Sequence, residues 1–172
     1  MRKVILYIAM SLDGYIADVN GKVDWLDGYD SGDSYSDFVK EIDTVVMGNK
    51  TYRQVVTELS PDEWVYKDFT SYVITNNTDH KDGNVIFYNG SPCDLIKGII
   101  ERNGRNIWVC GGADIVRQLM SDGLIDRFHI FVIPVILGGG VRLFANSDEK
   151  VELRLLKEKV CNDIIEVIYE KR

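Results

Sequence analysis

The apolar positions change their period along the chain. Short runs of β-branched and aliphatic residues recur at 4–10, 44–47, 71–75, 85–88 and 107–110, a longer run covers 125–137, and two alternating stretches follow at 151–160 and 163–170. Runs of this length, bounded by Gly, Asn and Asp, predict about eight strands. Between them apolar residues recur at three- and four-residue spacing, which predicts helices over 34–42, 49–59, 92–103 and 113–121. The third of these has Ser91 as its cap and Pro92 at its first position, with Leu95, Ile96, Ile99 and Ile100 on one face. The fourth aligns Ile115, Val116, Leu119 and Met120 and stops at Gly123, a residue suited to a left-handed C-terminal stop.

Strands alternating with helices as far as residue 124 predict βαβ crossovers, and hence an α/β, three-layer α-β-α sandwich with a mostly parallel sheet. The last two strands, joined by a tight turn around Cys161 and Asn162, are expected to add an antiparallel edge. There is no internal repeat, low-complexity tract or Pro/Gly/Ser linker, so residues 1–172 are expected to form a single domain. Pro134 interrupts the 125–137 run and marks an edge or a bulge. That run is apolar on both faces, which predicts an exposed edge covered by a twofold partner, a homodimer through the C-terminal β region.

Composition then removes whole classes of function. Twenty Lys and Arg against twenty-seven Asp and Glu give a net charge of −7, unfavourable for nucleic acid or an anionic membrane surface. The longest apolar run is far short of the ~20 residues that cross a bilayer, and no cleavage site follows the charged start, so a cytoplasmic location is expected. Cys93, Cys110 and Cys161 are odd in number and lack a CxxC spacing, which fits reduced thiols. With His80 and His129 as the two histidines and no HExxH, no metal is expected.

The candidate chemistry lies at strand-to-helix junctions. In Trp108-Val109-Cys110-Gly111-Gly112-Ala113-Asp114-Ile115 a buried strand passes through two glycines into a helix. Glycines let a ligand approach the backbone, and a helix start presents free N–H groups with partial positive charge, which suits a pyrophosphate; a plain tight turn is the alternative. This is not the GxGxxG pattern of a Rossmann domain. At the second junction, Gly48-Asn49-Lys50-Thr51-Tyr52-Arg53, Lys50, Thr51 and Arg53 could hold a phosphate monoester, or could cap and solvate a helix. The third, Thr75-Asn76-Asn77, ends its strand without a carboxylate, as a 2′-phosphate site would require, although an Asx-type turn also explains it. Asp13-Gly14 reads as a turn in a mobile-looking loop that leads to Trp25, and Gly138-Gly139-Gly140 as a flexible loop able to approach a ligand.

Four segments together, IAMSLDGYIA, VVMGNKTY, WVCGGADIVRQL and LIDRFHIFVIPVILGGGVRLF, resemble the dihydrofolate reductase-like superfamily, most closely the pyrimidine reductase domain of riboflavin biosynthesis. The resemblance spans nearly the whole chain. It implies an NADPH-dependent reductase that passes a hydride to a pterin- or aminopyrimidine-like small molecule, such as 5-amino-6-(5-phosphoribosylamino)uracil. By matching motif positions, Ala9 and Ile16 would flank the nicotinamide, Gly48, Lys50 and Thr51 would meet the adenosine phosphates, and Thr75 and Asn76 would lie by the adenine ribose. Gly111, Gly112, Ala113, Asp114 and Ile115 would cradle the pyrophosphate. Asp13 and Asp33 are the candidate catalytic acids, and Trp25 and Asp37 the candidates for substrate contact. Two departures bear on the substrate: Cys110 stands where these reductases carry an acid before the glycine pair, and 52–64 lacks their Asp-x-Pro segment. Dihydrofolate or pterin reduction, and a catalytically silent NADP-binding module, are the alternatives.

Overall fold

The computed structural model describes residues 1–30, 32–78, 83–144 and 150–172, and His80 lies outside them. Its main sheet has the order β5-β4-β3-β6-β1-β7-β10-β9. Six of these strands are parallel: β1 (Val4–Ser11), β3 (Ile42–Gly48), β4 (Thr70–Ile74), β5 (Val85–Tyr88), β6 (Asn106–Gly111) and β7 (Arg127–Ile133). The antiparallel hairpin of β9 (Leu153–Cys161) and β10 (Ile164–Lys171) completes the sheet beside β7. Asn162 and Asp163 both have positive φ, at 50° and 67°, so the hairpin turn is centred one residue later than the sequence suggests. Two adjacent left-handed residues give the turn a twist that matches its flanking strands.

Helices cover both faces, which explains the unbroken apolar runs of the inner strands. On one face α3 (Pro92–Ile100) and α4 (Ala113–Ser121) bury Leu95, Ile96, Ile99, Ile115, Val116 and Leu119 against Val4, Leu6, Val46 and Val109. The Ser91 side chain accepts from the N–H groups of Cys93 and Asp94 with Pro92 in the first turn, and Gly123 takes φ 64° just past the end of α4. On the other face α1 (Ser34–Phe38) and α2 (Asn49–Gln54) set Phe38 and Tyr52 against Ile5, Val45, Met47 and Trp108. Val4, Ile5 and Leu6 are completely buried, each worth about 1.5–3 kcal/mol in apolar transfer.

Three expectations are corrected. The first two helices are shorter than their periodicity suggests. The first gives way to a 3-10 turn, Val39–Glu41, before Ile42 opens β3, and the second continues after Gln54 as a π-helical turn, Val55–Leu59. The two glycine-bearing loops are not unstructured, because Tyr15–Ala17 (β2) pairs with Val141–Arg142 (β8) as a second, two-stranded sheet. Strands of three and two residues are too short to leave a period in the sequence. Finally, β7 ends at Ile133, directly before Pro134, and is not an edge. It pairs with β1 from Arg127 to Ile133 and with β10 from Arg127 to Val132, so its apolar character on both faces reflects an interior strand. The edge strands are β5 and, at the C-terminal end of the sheet, β9.

A buried polar network ties α1 to this half of the sheet. His129 and Glu166 are 6% and 5% exposed, and the Glu166 carboxylate meets His129 Nε2 at 2.5 Å and the Ser34 hydroxyl at 2.6 Å. A carboxylate only accepts, so a neutral imidazole must donate through Nε2. Burial pushes the His129 pKa below its ordinary value, against the pull of Glu166. Burial acts to raise Glu166, but the bonds from Ser34 and His129 outweigh it and hold that carboxyl below the usual range. Both groups therefore bind protons more readily unfolded than folded. Their stabilisation is complete above the ordinary histidine value of 6.5, falls as pH drops below it, and falls again below 4.5. The thermal midpoint followed by circular dichroism should drop between about pH 7.5 and pH 5.5, with a smaller drop in His129→Gln. Ser34→Ala, which removes one hydrogen bond to a buried carboxylate, should cost about 1–3 kcal/mol in chemical denaturation at neutral pH.

Candidate active site

Parallel pairing puts the carboxyl ends of β1, β3, β4, β6 and β7 along one edge of the sheet, and in open α/β sheets ligands bind in the crevice outside those ends. The crevice is built where β3 and β6 run straight into helices. Gly48 precedes α2 and Gly112 precedes α4, and neither helix start has a side-chain cap bond. The two junctions touch. A Cβ on Gly48 would lie 3.2 Å from Ile115 Cδ1 and 3.9 Å from the Gly112 nitrogen, and one on Gly112 would lie 3.6 Å from Thr51 Oγ1. Gly111, with φ 118°, adopts a conformation open to glycine and comes next to Ile8 of β1, and the Gly111–Gly112 peptide bond is cis. Two uncapped helix starts facing one another across glycines form a cradle with converging N–H groups and partial positive charge.

The structure brings Gly48, Thr51, Gly112 and Ile115 together, with Gly111 and Ala113 beside them in the chain. The Asp114 carboxylate accepts from Arg117 and Gln118 at 2.7 Å each and is held below the usual carboxylate range by Arg117, so it points along α4. What Asp114 adds to the helix start is its backbone N–H. Lys50 turns elsewhere: its ammonium lies 3.1 Å from where a Cβ on Gly21 would sit, and Gln54 Nε2 donates to the Gly21 carbonyl at 3.1 Å. The turn at 18–22 thus rests on α2. Thr75 closes the end of β4 by accepting the Asn77 N–H at 3.2 Å, a Ser/Thr turn in place of the expected Asx-type one, with Asn76 exposed beside it. Ala9 packs with Trp25 and Phe131, whereas Ile16 packs into the core on the other face.

The acids do not meet the cradle. Asp13 accepts from the Ser11 hydroxyl at 2.7 Å and from the N–H groups of Gly138 and Leu137 at 2.8 and 3.1 Å. These bonds, that from Ser11 foremost, hold its carboxyl below the usual range, which suits a clamp between two loops and not a proton donor. Gly140 completes the clamp, since any Cβ there would collide with the Ala17 carbonyl. Asp33 precedes α1 at the surface without a side-chain cap bond, and Asp37 pairs with Lys40 at 2.7 Å in solvent. Trp25 fits its assignment better. Its ring joins Ala9, Phe131 and Ile133, and its Nε1 is buried with no acceptor among the described residues.

A row of aromatic rings across the α1–α2 face was not foreseen. Tyr66 meets Trp64 at 5.1 Å and Trp108 at 5.2 Å, Trp108 meets Tyr35 at 6.0 Å and Tyr7 at 5.6 Å, and Phe38 stacks on Tyr7 at 4.1 Å. Cys110 lies in this row, its sulfur 3.5 Å from the Tyr66 hydroxyl. Burial pushes the Cys110 thiol up to about 11. The visible signal was Trp64-Val65-Tyr66-Lys67-Asp68-Phe69, an aromatic cluster outside any predicted element. The cavities lie elsewhere: one of about 330 Å³ is lined by Met120, Ile125, Phe128 and Arg172, and one of about 120 Å³ by His129, Glu166 and Lys157. Neither includes a glycine of the junctions, and an elongated crevice open to solvent is not a closed cavity.

Comparison with known proteins agrees with this geometry. A crystal structure of a putative riboflavin biosynthesis protein from Shewanella sp. PV-4 is similar with a TM-score of 0.84 and 30% identity over 99% of both chains. Dihydrofolate reductase from Enterococcus faecalis, complexed with NADP(H), shares the fold with a TM-score of 0.71 at 18% identity, over 98% of this chain and 96% of its own. Uncharacterized protein YwjB of Bacillus subtilis (strain 168) is 40% identical over 173 residues, 98% of this chain and 97% of its own. The RibD C-terminal domain model matches residues 2–167, from the first strand through the glycine junctions into the last, and the chain belongs to that family.

Proposed function

We propose that the protein is an NADPH-dependent reductase acting on a small heterocycle of the pterin or aminopyrimidine kind. The observation that carries this reading is the meeting of the two helix starts at Gly48, Thr51, Gly112 and Ile115. The cradle passes a simple test of fit, because a Cβ at Gly112 meets only ordinary contact with Thr51 and would instead fill the space between the helix starts. NADPH, when bound, supplies a hydride for a C=N or C=O carbon. Gly111 to Ile115 would hold its pyrophosphate through backbone N–H groups, and Gly48 and Thr51 its adenosine phosphates, which Lys50 would reach by turning its ammonium away from Gly21. Thr75 and Asn76, at a strand end free of carboxylate, would take the adenine ribose. Ala9 would border the nicotinamide, and Trp25 would exclude water beside it, whereas Ile16, packed into the core on the other face, would support the loop and not touch the ring. Asp13 fixes the loop pair around Ala9, and since none of the candidate acids among the described residues meets the cradle, the proton of the reaction would come from solvent. The three free thiols support a cytosolic setting.

A homodimer is part of this proposal, now through β9. This nine-residue strand is the edge of the sheet opposite β5 and exposes Leu155, Leu156 and Val160, the last 71% accessible. The strand also carries Arg154, Lys157, Glu158 and Lys159, so pairing through this edge would set its apolar side chains together while its charged ones of both signs meet their counterparts on a second chain.

Three outcomes are expected. NADPH should bind more tightly than NADH by about 1–3 kcal/mol in tryptophan-fluorescence titrations, through charge-assisted bonds to the 2′-phosphate, and Lys50→Ala should reduce that preference. Equal affinities would remove the 2′-phosphate assignment. Gly112 has φ −79°, which any residue adopts, so Gly112→Val should stay folded by circular dichroism while NADPH affinity falls about tenfold or more. Unchanged affinity in the folded variant would reduce the glycine pair to a turn. Sedimentation equilibrium at micromolar concentration should show twice the 19.6 kDa chain mass, and a monomer after Leu155→Lys with Val160→Lys.

A further inference from the structure

The aromatic row has a chemical character that the cofactor cradle lacks: it holds no charge. Tyr35 on α1 and Tyr66 on the 61–69 segment both pack against Trp108, and Cys110 sits with them at the carboxyl end of β6. Tyr35 is 41% exposed, and Tyr66 and Cys110 are half-buried behind it, so the row reaches the surface at Tyr35. Beyond burial, Tyr35 is influenced by Cys110, Tyr66 by Cys110 and Tyr35, and Cys110 by Tyr66. No Lys, Arg, Asp or Glu contributes. Burial raises all three groups, so all are neutral at physiological pH.

The Tyr66 hydroxyl and the Cys110 thiol hold two protons between them, and their contact uses one whichever atom donates. One X–H therefore remains for an acceptor on a ligand. Flat rings stack on aromatic faces at little cost in conformational freedom, whereas a phosphate or carboxylate drawn into a site without a counter-charge loses its hydration uncompensated. Of the three acids that could recognise a protonated amidine edge, Asp13 is bonded to the 137–138 loop, Asp37 pairs with Lys40, and Asp33 stands exposed ahead of α1, outside the aromatic row.

We infer that the crevice between α1 and the 61–69 segment takes an uncharged planar ring compound without phosphate or carboxylate, which presents a carbonyl or ring nitrogen to the Tyr66–Cys110 pair. The inference rests on the reductase reading for the position of the ring beside Ala9 and Tyr7, which it deepens by naming the substrate class. Tyr66 and Cys110 are thereby specificity residues, and a phosphoribosyl-bearing pyrimidine is excluded as the preferred substrate.

The test uses two fluorescent probes with one ring system, 6-methylpterin and pterin-6-carboxylate, titrated into the whole protein saturated with NADP⁺. Quenching by 6-methylpterin should saturate, with the carboxylate bound about tenfold or more weakly. Tyr66→Phe combined with Cys110→Ala removes both donors, keeps the ring contacts with Trp64 and Trp108, and should weaken 6-methylpterin about fivefold, the loss of one neutral hydrogen bond. Equal or tighter binding of the carboxylate, no binding of 6-methylpterin, or unchanged affinity in the Tyr66→Phe, Cys110→Ala double variant each overturns the inference. A separate NADPH titration distinguishes the two levels: saturable NADPH binding with a failed pterin series removes the substrate class alone. Absent NADPH binding removes the reductase reading, and the pterin comparison, repeated without cofactor, then decides the crevice by itself.

Discussion

Everything in this molecule depends on the parallel pairing of β1 with β6 and β7. Val4, Ile5 and Leu6 have no access to solvent, and β1 is bonded on both sides and covered on both faces. Parallel strands need crossover connections, and the returns after β3, β5 and β6 each carry a helix that starts at the same edge of the sheet. That one constraint sets the starts of α2 and α4 side by side and turns two separate strand-to-helix junctions into one cradle. Without the pairing of Val46 with Val109 and Met47 with Gly111, Gly48 and Gly112 would be two unrelated turns.

The edge of the sheet is then furnished by elements with little core of their own. The two-stranded sheet of β2 and β8 is held by few residues: Asp13 accepts from the backbone of Leu137 and Gly138, and Gly140 lets β8 approach the Ala17 carbonyl. The turn after β2 leans on α2 through Gln54 and Lys50. A carboxylate that fixes a loop to a loop does so by hydrogen bonds to the charged form, and the same bonds remove it from acid catalysis. The sequence shows an Asp in a glycine-flanked loop in both cases, and the partners alone decide which role it has.

The two sides of the crevice differ in electrostatics. The side proposed for the cofactor offers two helix starts with partial positive charge, whereas the α1 side offers aromatic rings, a thiol and two phenols. Charge is met where phosphates are expected and is missing where the substrate ring is expected. The buried His129–Glu166–Ser34 network lies under the same helix that presents Tyr35, so the position of α1 on the sheet, and with it the shape of the crevice, depends on a polar contact that weakens in acid.

The order of strands and helices, the sandwich layers, the Ser91 cap, the Gly123 stop and the two glycine junctions are local properties of the chain. Periodicity, capping chemistry and glycine placement encode them within a few residues, and so the sequence alone determined the fold class and the family resemblance. Partners remote in sequence are not encoded that way. Whether 125–137 is an edge or an interior strand depended on β10, more than thirty residues later, pairing with it from Arg127 to Val132. Asp13 is a turn residue in sequence and a clamp only because Gly138 folds back over it, 125 residues away. Cys110 looked like a missing acid, and only the tertiary contact with Tyr66 gave it a polar partner. Hydrophobic pattern fixes which face of an element is buried, but what a polar side chain does depends on the donors and acceptors that the folded chain brings within about 3 Å of it.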